Sequence, residues 1–131
     1  MIIQIQILIS GLICGLILFQ SAFVAPTVFR DLPEENRPLI LRSLFPKLFK
    51  SITVAGILFL IATFLEGSNA TIPYVVGAFT LLSGLICNGI IDATNKARDD
   101  GNDKLFATFH RISVLLTISV LLINLMWIFV V

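Results

Sequence analysis

The chain has 131 residues, of which 57% are hydrophobic and only 13% are charged, and its mean hydropathy is +1.01. Soluble proteins carry about 25% charged residues, so this chain cannot cover a core with polar surface, and lipid must form part of its solvent. The net charge of +1 provides no dense basic face, which argues against a nucleic-acid partner. Cys14 and Cys87 lie inside apolar runs, which indicates packing residues rather than a disulfide framework or zinc site.

Four segments are long and apolar enough to cross a bilayer core, which needs about 20 helical residues. They cover about residues 2–28, 48–65, 72–94 and 106–130. The first segment lacks the basic start of a signal peptide and exceeds the length of its apolar core, so we expect it to be a membrane span. The sequence therefore predicts an all-α integral membrane protein, with one four-transmembrane-helix bundle over residues 1–131.

The basic residues predict an orientation in the membrane. All nine Lys and Arg lie in or beside the first and third connections between spans. The positive-inside rule places these connections in the cytoplasm and both termini outside. The charge-free first span and the absence of tails favour a bacterial inner membrane. We expect the lipid bilayer as the main partner, with a second copy of the chain or a membrane-complex subunit as a further one.

The two basic connections carry helix signals of their own. In the first connection, apolar residues repeat at helical spacing between basic ones, at Leu41, Leu44, Phe45 and Leu48. This pattern predicts an amphipathic helix on the cytoplasmic leaflet between spans one and two, with a bend at Pro46; an ordinary polar loop is the alternative. In the third connection, Gly101 suits a helix end, and Asn102 or Asp103 suits the cap of the next helix.

The string SGLIC occurs twice, at residues 10–14 and 83–87, each time before a charged connection. Either the chain consists of two parallel helical hairpins related by duplication, or the match is a coincidence of apolar composition. A true repeat predicts that spans one and three occupy equivalent positions in the bundle.

Polar residues in membrane helices mark the faces that look into the bundle. At the cytoplasmic end of spans three and four such residues form a set that we call the polar cluster: Asn88, Asp92, Asn95, Arg98, His110, Arg111, Ser113 and Thr117. One interpretation is hydrogen bonding between helices, and the other is a narrow polar pocket or path. Because a carboxylate is costly within a bilayer, Asp92 is the most informative member, with Arg98 or Arg111 as its expected partner.

Small residues indicate where helices approach closely. Gly11 and Gly15 form a GxxxG motif in span one, and Gly84 lies on the polar side of span three. Because glycine lets two backbones come together, we expect these three positions at helix–helix contacts.

His110 is the only histidine. A histidine can bind metal or haem or move a proton, but metal sites usually need three or four ligands. We therefore predict no cofactor and no metal site, with haem or metal ligation by His110 as the alternative. A structural hydrogen bond near the start of span four is the simplest role for this side chain.

Short motifs spread along the chain resemble those of the small membrane proteins typified by transmembrane protein 205, catalogued as domain of unknown function 4149. The residues that carry this resemblance include Phe23, Pro26, Phe29, Phe45, Pro46 and Phe106. The resemblance implies a four-helix integral membrane protein and carries no established chemistry. Thr117 departs from the family pattern, which tends to have asparagine there.

These features predict a membrane protein, not clearly an enzyme, that handles a small solute or ion or serves as an accessory subunit. A membrane redox protein that uses His110 is one alternative. A structural partner that packs through Gly11 and Gly15 is another.

Overall fold

The structure is a computed structural model and describes residues 1–67 and 69–131. Four long helical spans run through these residues. Their segments are α1 (Ile2–Phe19), a π-helical turn (Gln20–Val24) and α2 (Ala25–Asp31) in span one, α3 (Arg37–Glu66) in span two, α4 (Thr71–Gly89) and α5 (Ile91–Asp99) in span three, and α6 (Asp103–Val130) in span four.

Each span is long and apolar enough to cross a membrane, which confirms the predicted all-α class and the number of spans. The spans are longer than the sequence predicted. A helix of 30 residues, such as α3, is about 45 Å long, whereas the hydrocarbon core is about 30 Å thick. The helices therefore continue beyond the apolar segments into the charged connections.

The predicted amphipathic helix does not exist as a separate element. Its residues form the first turns of α3, which continues through Pro46 to Glu66. Proline removes one backbone hydrogen bond, but strong helix formers surround Pro46 and no helix-ending residue accompanies it. The connection itself is only a short turn, in which the Asn36 amide donates to the Pro33 carbonyl at 2.9 Å.

The spans run antiparallel and pack in a ring, in which spans one and three each lie between spans two and four. This gives the bundle two distinct ends. The basic end holds the first and third connections with every Lys and Arg, and the terminal end holds both termini and the second connection. Spans one and three lie diagonally opposite, as they do in any ring of four helices of alternating direction, so the two-hairpin repeat stays a prediction.

The two cysteines make similar contacts. Both thiols are buried, and each lies against a backbone carbonyl of α6, Cys14 Sγ at 3.7 Å from Leu121 O and Cys87 Sγ at 3.9 Å from Ser113 O. They therefore act as packing residues, as the sequence predicted.

Large apolar side chains fill the centre of the ring. Ile13, Ile52 and Val120 are almost fully buried, and Phe59 is completely so. The ring of Phe59 meets that of Trp127 edge to face across the bundle, with centroids 5.9 Å apart. Many other apolar side chains point outward, as expected for helices whose solvent is lipid.

The closest approach of two helices joins α3 to α4. A Cβ atom added at Gly84 would lie 2.8 Å from the backbone nitrogen of Thr53, and one at Gly56 would lie 2.6 Å from that of Leu81. Gly84 therefore lies at a helix–helix contact as predicted. Gly11 and Gly15 instead lie on the outer surface, with nothing within 4 Å of an added Cβ atom, so they contribute nothing to packing within this chain.

The third connection forms as the sequence predicted. Gly101 has a φ of 69°, in the left-handed region that glycine adopts readily. Asn102 caps α6, because its Oδ1 accepts a hydrogen bond from the Leu105 amide at 3.1 Å. The connection therefore ends one helix and starts the next within a few residues.

Candidate functional site

The polar cluster lies at the basic end, on α4, α5 and the first half of α6. Asn88, Asn95, Ser113 and Thr117 are half-buried, whereas the four members that carry ionisable side chains are exposed. The structure thus brings these residues to one end of two neighbouring spans, with amides and hydroxyls deeper than charges.

Asp92 has neither of the partners expected for it. The ion pairs among residues 1–67 and 69–131 are Arg30–Asp31, Arg42–Asp99 and Lys96–Asp100. Arg98 instead places its guanidinium 4.1 Å from the centre of the Phe106 ring. Asp92 is exposed in the first turn of α5 and forms no ion pair with a described residue.

His110 lies in the second turn of α6 and is exposed. Its ring stacks on that of Phe106, with centroids 5.7 Å apart and planes inclined by 7°. Phe106 therefore contacts both Arg98 and His110. This stack, rather than a hydrogen bond, positions the imidazole.

Two half-buried members of the cluster have side-chain amides that no described residue satisfies. The side chains of Asn88 and Asn95 make no hydrogen bond within the described ranges, and none of their polar atoms is sealed from solvent. Ser113 and Thr117 differ, because the hydroxyls of both lie within hydrogen-bonding reach of the Cys87 thiol, and that of Thr117 donates to the Ser113 carbonyl at 2.7 Å. The cluster therefore offers two amides that are free to bind something else.

Two helix irregularities lie near the cluster, and the sequence analysis missed both. Span three is interrupted at Ile90, between α4 and α5, and span one contains the π-helical turn just before Pro26. Cys14 in span one and Cys87 in span three both contact α6, and these contacts show how the two spans align along it. In this alignment both irregularities lie beside the second and third turns of α6. Gly89 and Pro26 were the available sequence signals, because glycine and proline are the residues that commonly interrupt helices.

The family-motif residues also gather at the basic end. Phe23 stacks on Phe19 with centroids 5.6 Å apart, and Phe45 stacks on Phe49 at 5.9 Å. Arg37 lies 5.7 Å from the ring centre of Phe29 and donates through Nε to the carbonyl of Leu32. The two ring stacks lie within single spans, whereas the contacts of Arg37 hold the start of α3 against the end of span one and the first connection.

A different polar group occupies the middle of the bundle, and we call it the central network. Ser10 Oγ donates to Asn124 Oδ1 at 2.9 Å, and Asn124 Nδ2 donates to Thr80 Oγ1 at 2.9 Å. All three side chains have 0% exposure. Each polar atom has a partner within the network or on its own helix, so this network joins three spans and leaves no group free.

A third polar group lies near the terminal end, and we call it the terminal group. Gln6 Nε2 donates to Thr63 Oγ1 at 3.2 Å and to Glu66 Oε2 at 3.1 Å. Gln6 is fully buried, and its Oε1 has no hydrogen-bond partner among the described residues. The sequence analysis missed this group, although Glu66 is the only Asp, Glu, Lys or Arg at that end.

Two lipid-facing grooves are almost wholly apolar. One of about 270 Å³ lies between α4 and α6 near Trp127, and one of about 410 Å³ lies between α1 and α3 below Lys50. Neither is lined by a residue of the polar cluster. The residues described also include no group of three His, Cys, Asp or Glu side chains placed to hold a metal ion.

Four apolar spans, with every charged side chain except that of Glu66 at one end and polar networks inside, indicate an integral, multi-pass membrane protein. Residues 8–127 match a family described as "Domain of unknown function (DUF4149)". The match covers most of the chain, so the protein belongs to this family. No curated protein and no solved structure matches the chain.

Proposed function

We propose that the protein handles a small solute or ion within the membrane, at the polar cluster, and does not catalyse a reaction. The observation that carries this proposal is the contrast between two sets of polar side chains. The side-chain amides of Asn88 and Asn95 have no partner among the described residues, whereas the deeper Ser10, Thr80 and Asn124 satisfy one another. Unpaired polar groups in a membrane helix are costly, so a ligand that binds them offsets that cost.

The surroundings of Asp92 support the same proposal. Asp92 lies one turn beyond Asn88, across the junction at Ile90. The Ile90 backbone keeps its helical hydrogen bonds, with N–H donating to the Ile86 carbonyl at 3.1 Å and the carbonyl accepting from the Thr94 amide at 2.9 Å, so any ligand here must bind side chains. A carboxylate without a basic partner favours a cation over an anion as the ligand of this site.

We also propose that the basic end faces the cytoplasm of a bacterial inner membrane, with both termini outside. The support is that every Lys and Arg lies at one end of the bundle, which the positive-inside rule assigns to the cytoplasm. In this orientation the polar cluster opens toward the cytoplasm.

Substitution of Asp92 tests the proposal. In liposomes that contain the purified protein, we expect a flux of H⁺, Na⁺ or K⁺ that falls at least tenfold in Asp92→Asn, because the cation loses its only unpaired carboxylate in the cluster. His110→Ala is expected to lower the same flux. The measurement is dye fluorescence for H⁺ and radiotracer uptake for Na⁺ and K⁺.

Asp100→Asn is the matched control, because Asp100 is exposed, caps the other end of α5 and pairs with Lys96 outside the cluster. Its flux should equal that of the wild type. Equal rates in Asp92→Asn and the wild type, or no flux of any of the three cations above protein-free liposomes, would contradict an ion-handling role.

A second candidate function is structural packing in a membrane complex, and a separate observation favours it. Gly11 and Gly15 lie on the outside of span one with open space above them, where a helix of another subunit or of a second copy can approach closely. If this is their role, leucine at Gly11 should weaken association and leave the fold of the single chain unchanged.

A further inference from the structure

We infer that the apolar groove between α1 and α3 binds an anionic phospholipid, with one acyl chain in the groove and the phosphate at Lys50. This groove faces the surrounding lipid, and Lys50 and Ser51 lie at the side of it nearest the basic end of the bundle. Two observations carry the inference, namely the apolar lining of the groove and the positive charge at its end, which no described residue neutralises. The inference goes beyond the function proposed for the polar cluster and does not depend on it.

The groove suits an acyl chain in shape and lining. It has a volume of about 410 Å³ and apolar walls from both helices, formed by Leu12, Ile13, Leu16, Val54, Ala55 and Leu58. On α3 the lining residues recur three and four positions apart, so they follow one side of the helix. Between Lys50 and Leu58 the groove runs for about 12 Å along α3, in the direction of the lipid chains.

Lys50 lies at the depth where the lipid headgroups begin. Residues 51–65 of α3 carry no charged side chain, and the next charge toward the terminal end is Glu66. A helix rises about 1.5 Å per residue, so Lys50 and Glu66 are about 24 Å apart along α3. With Glu66 at one boundary of a hydrocarbon core of about 30 Å, the backbone of Lys50 lies just inside the other boundary. A lysine side chain there extends along the apolar surface and places its ammonium group among the lipid phosphates.

No acidic residue on the two walls of the groove competes with a phosphate at Lys50. Span one carries no charged side chain before Arg30, and α3 contains four basic residues and no acidic one before Glu66. Among the described residues, Lys50 forms no ion pair and its ammonium group donates no hydrogen bond. Lys47, one turn away, donates only to the Ser43 hydroxyl at 3.4 Å. The end of the groove therefore has positive charge that a lipid phosphate can neutralise.

The groove between α4 and α6 provides a comparison within the same molecule. Its volume is smaller, about 270 Å³, and none of its lining residues carries a charge. Lipid chains can cover this second groove equally well whatever their headgroup. Of the two grooves, only the one at Lys50 combines an apolar surface between two helices with a cation at headgroup depth, which is the pattern that an anionic phospholipid complements.

The test is native mass spectrometry of the purified protein in detergent, titrated with palmitoyl-oleoyl phosphatidylglycerol or with phosphatidylcholine of the same chains. The wild type should bind the first phosphatidylglycerol about fivefold more tightly than the first phosphatidylcholine, the factor expected from one lysine beside an anionic lipid. Lys50→Gln should bind both lipids with equal affinity. Lys104→Gln is the matched control, because it removes an exposed lysine at the basic end that does not line the groove, and it should keep the preference.

A second pair of variants tests the groove without changing any charge. Val54 lines the groove and Ile57 does not, and both side chains are exposed on α3. Val54→Trp should fill the groove and weaken the binding of phosphatidylglycerol, whereas Ile57→Trp adds the same bulk outside the groove and should leave that binding unchanged.

Equal affinity of the wild type for the two lipids overturns the inference, as does a preference that Lys50→Gln retains. An equal loss of preference in Lys50→Gln and Lys104→Gln would mean that the lipid responds to the overall charge of the basic end, and would overturn a site at Lys50. Binding that Val54→Trp leaves unchanged would overturn the groove as the place of the acyl chain.

Discussion

Replacement of Gly56 by leucine is expected to separate α3 from α4 and to destabilise the folded bundle by about 3 kcal/mol, at the upper end of the cost of overpacking. A single Cβ atom at this position would already lie 2.6 Å from the backbone nitrogen of Leu81. Backbone atoms cannot move aside as the end of a flexible side chain can, so the two helices must move apart. Thermal unfolding of the purified protein, followed by circular dichroism, measures the effect.

Gly11→Leu is the control for this experiment, because the substitution adds the same side chain to a membrane helix at a position with open space. We expect the melting temperature of the single chain to stay within experimental error of the wild type. Similar losses in both variants would mean that leucine destabilises these helices by some route other than the contact between α3 and α4.

Asn124→Leu is expected to destabilise the bundle by about 1 kcal/mol. The substitution keeps the branching of the side chain and removes two hydrogen bonds between helices, to Ser10 and Thr80, and one within α6, to the Val120 carbonyl. Hydrogen bonds between membrane helices average about 0.6 kcal/mol each, so the two bonds between helices account for the expected loss. Chemical unfolding in mixed micelles gives the free energy.

Asn95→Leu makes the same chemical change in the polar cluster, where the amide has no partner within the described residues. Its unfolding free energy should match that of the wild type or exceed it, because no hydrogen bond is lost. A loss equal to that of Asn124→Leu would mean that Asn95 is part of the structural framework and would count against a binding role.

The sequence predicted the number of spans because hydropathy and length alone decide which helices cross a bilayer. It predicted a cap at Asn102 or Asp103, of which Asn102 forms it, because a glycine followed by a polar cap acts locally. The prediction of a separate amphipathic helix was wrong, because a proline such as Pro46 ends a helix only when its surroundings also favour an end. Continuity of α3 depends on the packing of the whole helix, which no local pattern records.

The polar groups were only partly predictable. Polar side chains of membrane helices are expected to face inward, as Thr80 and Asn124 do, but their contact with Ser10 depends on which spans become neighbours. Gln6 was missed because a glutamine in the first turns of an apolar segment resembles an ordinary polar start. Its contact with Glu66 joins residues 60 positions apart, and only the antiparallel pairing of spans one and two brings them together.

The outward position of Gly11 and Gly15 was not predicted for the same reason, because it too depends on which spans become neighbours. A GxxxG motif shows that two helices can approach closely at that face, but it does not say which helix approaches. Within this chain the tight contact uses Gly56 and Gly84 instead, because spans two and three are the pair that meets most closely.

The most direct test of the account is the reactivity of a cysteine at position 88 toward a membrane-impermeant maleimide, with Cys14 and Cys87 replaced by alanine. The account predicts that Asn88→Cys reacts in inverted vesicles and not in right-side-out ones, because the polar cluster opens toward the cytoplasm. Ser83→Cys, buried less than two turns deeper on α4, should stay unlabelled in both. If Asn88→Cys does not react in either preparation, the cluster is closed to water and serves only helix packing. If it reacts in right-side-out vesicles, the proposed orientation is wrong.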